Sequence, residues 1–264
     1  VPDGTDGGDA DSSGEAQDGE ADTAVSAVQG ASHASHCVCG KNSSTTVNGH
    51  EHDSAVTAWN AADSLPDSAG SYYLTQSVSG SWTVPMGEVN LCLNGQTISG
   101  SITVGSDATL TLTDCSGNGK VQGEVTVNGG KFELYSGTIT GGVQVGIKGG
   151  SYQTGSSFTM YGGAITGNED YGGVFLVGTT NHIDPPSFTM HGGTISDNTA
   201  GASDGGGGGV YVGEKCSFTM DGGTITGNTA TAGNGGGIYI HFNAGNVSIS
   251  NATITGNKAS ATGD

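Results

Sequence analysis

One dodecapeptide returns three times at a fixed interval. SFTMYGGAITGN begins at Ser157, SFTMHGGTISDN at Ser187 and SFTMDGGTITGN at Ser217, which puts Phe158, Phe188 and Phe218 30 residues apart. Looser copies flank them: KFELYSGTITGG from Lys131 and NVSISNATITGN from Asn246. Leu110-Thr111-Leu112 and Leu91-Cys92-Leu93 read as degenerate copies at shorter spacing. After a glycine cluster, each clear copy is followed by another short apolar run, at 174–177, 210–212 and 238–240. A period of 20–30 residues holding three short strands and no helix predicts a solenoid, in which each repeat buries its apolar face only against its neighbours.

The alternation within the repeat says which side chains face inward. In SFTMDGGTIT, Phe218 and Met220 fall on one face and Thr219 and Asp221 on the other, because strand side chains alternate. Beyond the Gly222-Gly223 corner, Ile225 points in while Thr224 and Thr226 point out. Copies stacked about 4.8 Å apart place like residues in columns. The inward columns are then Phe132/Phe158/Phe188/Phe218/Val247, Leu134/Met160/Met190/Met220/Ile249 and Ile139/Ile165/Ile195/Ile225/Ile254, with Val or Ile of the third run as another wall. The 51 glycines fit this plan and oppose a helix bundle, since Gly costs about 1 kcal/mol per helical position relative to Ala. Asn168, Asn198, Asn228 and Asn257 recur after the Ile strand, where Asn tolerates a left-handed backbone and can form an amide ladder. The expected fold is all-β: a right-handed parallel β-helix of about seven coils, from near Tyr72 to near Asn257.

These repeats resemble the FTMxGGTITGNTA coils of large surface proteins of Gram-positive gut bacteria, over about residues 70–260. The resemblance implies the pectin-lyase-like superfamily and an extracellular setting, at the bacterial cell surface or secreted. It implies no single activity, because the architecture carries lyases, hydrolases, adhesins and passive stalks.

Three regions follow from composition. Residues 1–30 carry eight acids and no Lys and are expected to be a disordered acidic tail. Residues 31–66 are a Cys/His-rich module, and 67–264 form the β-helix. No leader pattern opens the chain, as expected of a mature or trimmed sequence. Either a C-terminal neighbour or oligomerisation is expected to cap the last coil. With 25 acids against 6 Lys and no Arg, the formal charge of −19 argues against nucleic acid, whose phosphates need clustered cations. No apolar run is long enough to span a membrane as a helix.

Four chemistries merit weighing. Among pectin-lyase-like enzymes, lyases use calcium-binding acids with an Arg or Lys base, and hydrolases use clustered Asp near a His. Here Arg is absent, Lys120, Lys131, Lys148, Lys215 and Lys258 are scattered, and Asp170, Asp184, Asp197, Asp204 and Asp221 form no sequence pair. His191 one period above Asp221 is the best catalytic-looking feature, and the expectation is that the chain is not an enzyme. Cys37, Cys39, His50 and His52 match a tetrahedral zinc set in type, though CxC and HxH are not the usual spacings; a site of this kind would be structural. Cys92 and Cys115 fall in neighbouring coils, where they could bridge or stand as separate small residues. Outward Tyr135, Tyr161, His191, Tyr211, Tyr239 and His241, with Tyr171 beside them, could form a ligand-binding face for a host glycan, mucin or a host protein such as an immunoglobulin. Stacked TxT pairs such as Thr224-x-Thr226 also resemble an ice-binding array, which Ala164 interrupts. Adhesion through a lateral face is the favoured expectation, and a passive stalk the alternative.

Overall fold

The computed structural model describes residues 60–147, 155–178, 184–201, 206–231 and 233–260, together with the backbone of three strands, His36–Cys39, Ser43–Val47 and His50–Thr57. The expected acidic tail, 1–30, lies outside the described residues. Among the described residues from 60 to 260 the protein forms a parallel β-helix with three long walls. The first wall has nine strands, running from Asn60–Ala62 and Gly70–Leu74 through Ser157–Met160, Ser187–Met190 and Ser217–Met220 to Val247–Ile249. The second has eight, from Val78–Ser79 to Thr253–Thr255, and the third seven, from Trp82–Thr83 to Ile238–Ile240. The chain visits the walls in rotation, so seven turns touch all three and an eighth begins at Val247–Ile249. A short parallel ladder, Thr199–Ala200, Thr229–Ala230 and Lys258–Ala259, runs along the last turns. Asn60–Ala62 pairs with Gly70–Leu74, so the first wall starts before residue 67.

The expected columns form in register. Phe132, Phe158, Phe188, Phe218 and Val247 pair in sequence along the first wall, with Leu134, Met160, Met190, Met220 and Ile249 two positions on. Ile139, Ile165, Ile195, Ile225 and Ile254 line the second wall. The phenylalanine rings stack with centroids 5.0, 4.8 and 5.2 Å apart. Val89 with Leu110, and Leu91 with Leu112, prolong these two columns toward the N-terminus, so Leu110 and Leu112 copy the repeat as expected, whereas one coil earlier the equivalent places are filled by Val89 and Leu91 and not by Leu91 and Leu93. Each buried side chain of this size contributes about 1.5–3 kcal/mol relative to exposure. At the far end the columns emerge: Ile240, Ile249 and Ile254 are all more than 40% exposed.

The corners explain the glycine pairs by two separate constraints. Gly193 has φ +84°, a region costly for residues with a Cβ. Gly192 does not, but a Cβ there would lie 2.5 Å from the Tyr161 carbonyl oxygen of the preceding coil. The asparagines differ from expectation. The left-handed residue is the one before each, Gly167, Asp197, Gly227 and Gly256, with φ between 56° and 75°. The Asn side chains turn inward instead and carry the ladder. Asn198 Nδ2 donates to Asn228 Oδ1 at 2.9 Å and to the Ile165 carbonyl at 3.0 Å, and Asn228 repeats this with Asn257 and Ile195. Asn198 and Asn228 have no exposed surface, so this satisfaction is what makes a buried amide tolerable.

Candidate functional site

Outward positions stack as regularly as inward ones, and two aromatic columns result. The first occupies the position after each SFTM strand. Tyr135 and Tyr161 stack at 4.4 Å, and Tyr161 stacks on His191 at 5.1 Å. His191 Nδ1 lies 2.7 Å from Asp221 Oδ1 at the next rung. Tyr135 is 2% exposed, and burial, reinforced by the Glu133 charge, raises its phenol well above the usual range. It therefore props the column and offers a ligand no surface. The His191–Asp221 pair is about 40% exposed on both sides, where such a pair is worth less than about 1 kcal/mol.

The second column lies on the third wall, in the register Gln144, Phe175, Tyr211, Tyr239. Phe175 and Tyr211 stack at 4.5 Å, Tyr211 and Tyr239 at 5.2 Å, and Tyr171 tilts against Phe175 at 5.6 Å. His241 follows the last strand, accepts a hydrogen bond from the Asn243 backbone N–H at 3.2 Å and abuts Phe242, which is 85% exposed. Within both columns the ring faces are occupied by one another. A ligand alongside them meets ring edges and phenol hydroxyls, not the open faces that sugar stacking on single aromatics would use.

Two open depressions meet at Phe175. One, of about 310 Å³, is bounded by Gln122, Glu124, Gln144, Asp170, Tyr171 and Phe175. The other, of about 230 Å³, lies between Phe175, Tyr211, Glu214 and His241. Their linings hold three carboxylates and no Lys. This is a hydroxyl-accepting, anion-repelling surface with an apolar floor. Of the six residues expected to form the binding face, the structure gathers Tyr211 and His241 here, and Tyr239 continues the Tyr211 column. Tyr161 and His191 belong to the other column. Phe175, Glu124 and Glu214 were missed, and Asp170 was weighed only as a catalytic acid. The run VFLV at 174–177 masks its alternation by being apolar throughout, and the acids sit in or beside corners that follow no period.

The side chains of Cys37, Cys39, His50 and His52 lie outside the described residues. Their backbone strands form a three-stranded antiparallel sheet in which Cys39 stands opposite His52. Among the described residues no group of three or more His, Cys, Asp or Glu is placed to hold a metal. No helix among them is long and apolar enough to cross a membrane. No family model, curated protein or solved structure matches the chain.

Proposed function

We propose that this chain is part of an extracellular bacterial surface or secreted protein of the pectin-lyase-like kind, and that it binds a host ligand through the third wall without transforming it. The ligand we favour is a neutral glycan of the mucin type. One observation carries the reading: two depressions meet at Phe175, one lined also by Tyr171 and the other by Tyr211, and their charged lining is entirely acidic. Carboxylates and amides accept and exchange hydrogen bonds with sugar hydroxyls, and the apolar floor accommodates sugar C–H surface. The same carboxylates disfavour sialylated, sulfated or polyuronate chains. A host protein such as an immunoglobulin is the competing ligand, and a passive stalk the competing role. The stalk draws support from the regular, unbroken ladders.

A glycan array probed with the full chain tests this. Neutral glycans are expected to bind, and Tyr211→Ala to weaken them about tenfold with the β-sheet spectrum unchanged. Preference for anionic glycans, or equal binding by the variant, overturns the site. Binding to no glycan returns the chain to the stalk reading. For the Cys/His module the reading is structural zinc held by Cys37, Cys39, His50 and His52, supported by Cys39 lying in register with His52. Close to one zinc per chain is expected after purification without chelator. Trace zinc would remove that proposal.

A further inference from the structure

Cys92 ends the strand Gly87–Cys92, and Cys115 lies two residues past the strand Ala108–Thr113 of the next coil. The two strands pair at six consecutive positions, the last being Thr113 with Cys92. This pairing fixes the sulfurs relative to each other, and their Sγ atoms are 3.3 Å apart. Both corners are pinned as well. The buried Asp114 carboxylate accepts the backbone N–H groups of Gly95 and Gly119, each at 2.7 Å, tying one corner to the other. Leu91 and Leu93 fill the tube, while Cys92 turns away from it and makes a separate small cluster with Tyr73 and Cys115. The thiol pair therefore adds nothing to the main core. A disulfide needs about 2.05 Å between sulfurs, so closure asks for little more than 1 Å of side-chain adjustment.

We infer that Cys92 and Cys115 are the two halves of a covalent cross-link between successive coils, formed by exchange with a low-molecular-weight disulfide. Cys115 is the partly exposed member and Cys92 is fully buried, so exchange begins at Cys115. Its thiolate attacks the small disulfide and releases one thiolate, leaving a mixed disulfide on Cys115. The Cys92 thiolate then displaces the second small thiol. Two S–H bonds are replaced by one S–S bond, the two protons pass to the departing thiolates, and the oxidant leaves as two thiols. The hydrogen bond between the thiols, joined by burial, holds Cys115 above the ordinary thiol range, so the first step, which needs the Cys115 thiolate, quickens as pH rises; the same hydrogen bond lowers Cys92 while burial opposes it. The inference is independent of any ligand. It requires only the oxidising conditions in which such bridges persist.

The full chain, incubated with glutathione disulfide, alkylated and digested without reductant, provides the test. A peptide pair joined through Cys92 and Cys115, two hydrogens lighter than its reduced parts, is expected in most molecules. The thermal midpoint is expected to rise by about 5–10 °C over the reduced protein, because the link restrains the unfolded chain. Cys115→Ser should abolish both the linked pair and the rise. Both thiols remaining alkylatable, a glutathione adduct persisting on Cys115, links from either residue to a different cysteine, or an unchanged midpoint would each overturn it. Because the peptide map is made on the wild-type chain, it decides the matter even if the serine variant fails to fold.

Discussion

Cys216 is fully buried, next to the strand Ser217–Met220, and burial pushes its thiol up to about 12 from an ordinary value of 9.0. In the folded chain it stays protonated well into alkali, while in the unfolded chain it ionises above pH 9. The stabilisation is therefore complete below pH 9 and is lost as pH climbs toward 12, by up to about 1.4 kcal/mol per pH unit. Tyr135, likewise raised by burial, adds a loss of the same sign at higher pH. Urea midpoints measured at pH 8 and pH 10.5 should fall for the wild type and fall less for Cys216→Ala, the gap reaching about 2 kcal/mol. Parallel losses would show that this thiol is not what responds. The asparagines teach a related lesson about single positions. Their recurrence in the sequence marks the corner, but which residue turns left-handed depends on hydrogen bonds between coils, and those place the strained φ one residue earlier.

At the scale of the strand, legibility follows periodicity. The SFTM and TIT walls could be read where the 30-residue period holds, because a two-residue alternation inside that period fixes both which face is buried and what stacks on what. Stacking also carried the outward column Tyr135, Tyr161, His191, Asp221 from sequence to structure unchanged. The third wall was half legible. Its strands stood out, but Phe175 did not, since uniformly apolar VFLV gives no alternation from which to choose a face. The corners were opaque. Glu124, Asp170 and Glu214 are brought toward the aromatic floor by turns whose lengths vary from coil to coil. Cys92 and Cys115 were half legible, since the sequence places them in neighbouring coils and leaves open whether they meet. They are 23 residues apart in a region with no 30-residue period, and only the pairing of their strands brings the sulfurs together.

For the whole molecule, the unit that matters is the coil. Each coil touches mainly the one before and the one after, so stability is close to a sum of coil and neighbour terms. Removing one entire period should then be far less harmful than removing half of one. Deletion of 187–216 joins Pro186 to Ser217 and takes away one strand from each long wall. Phe158 then meets Phe218, Met160 meets Met220, Ile165 meets Ile225 and Asn168 meets Asn228, the same partner types as before. Phe175 meets Tyr239, so even the outward aromatic column closes over the gap. Deletion of 187–201 instead removes the Ser187–Met190 and Thr194–Ser196 strands but keeps Val210–Val212, leaving a third-wall strand with no coil to belong to. The 30-residue deletion is expected to keep the β-sheet dichroism per residue and a cooperative melt within a few degrees of the parent, while losing the part of ligand binding that depends on Tyr211. The 15-residue deletion is expected to melt without cooperativity or to aggregate. Equal damage from the two would mean that the coils are not interchangeable units, and that the identity of their side chains along each column is incidental to stability.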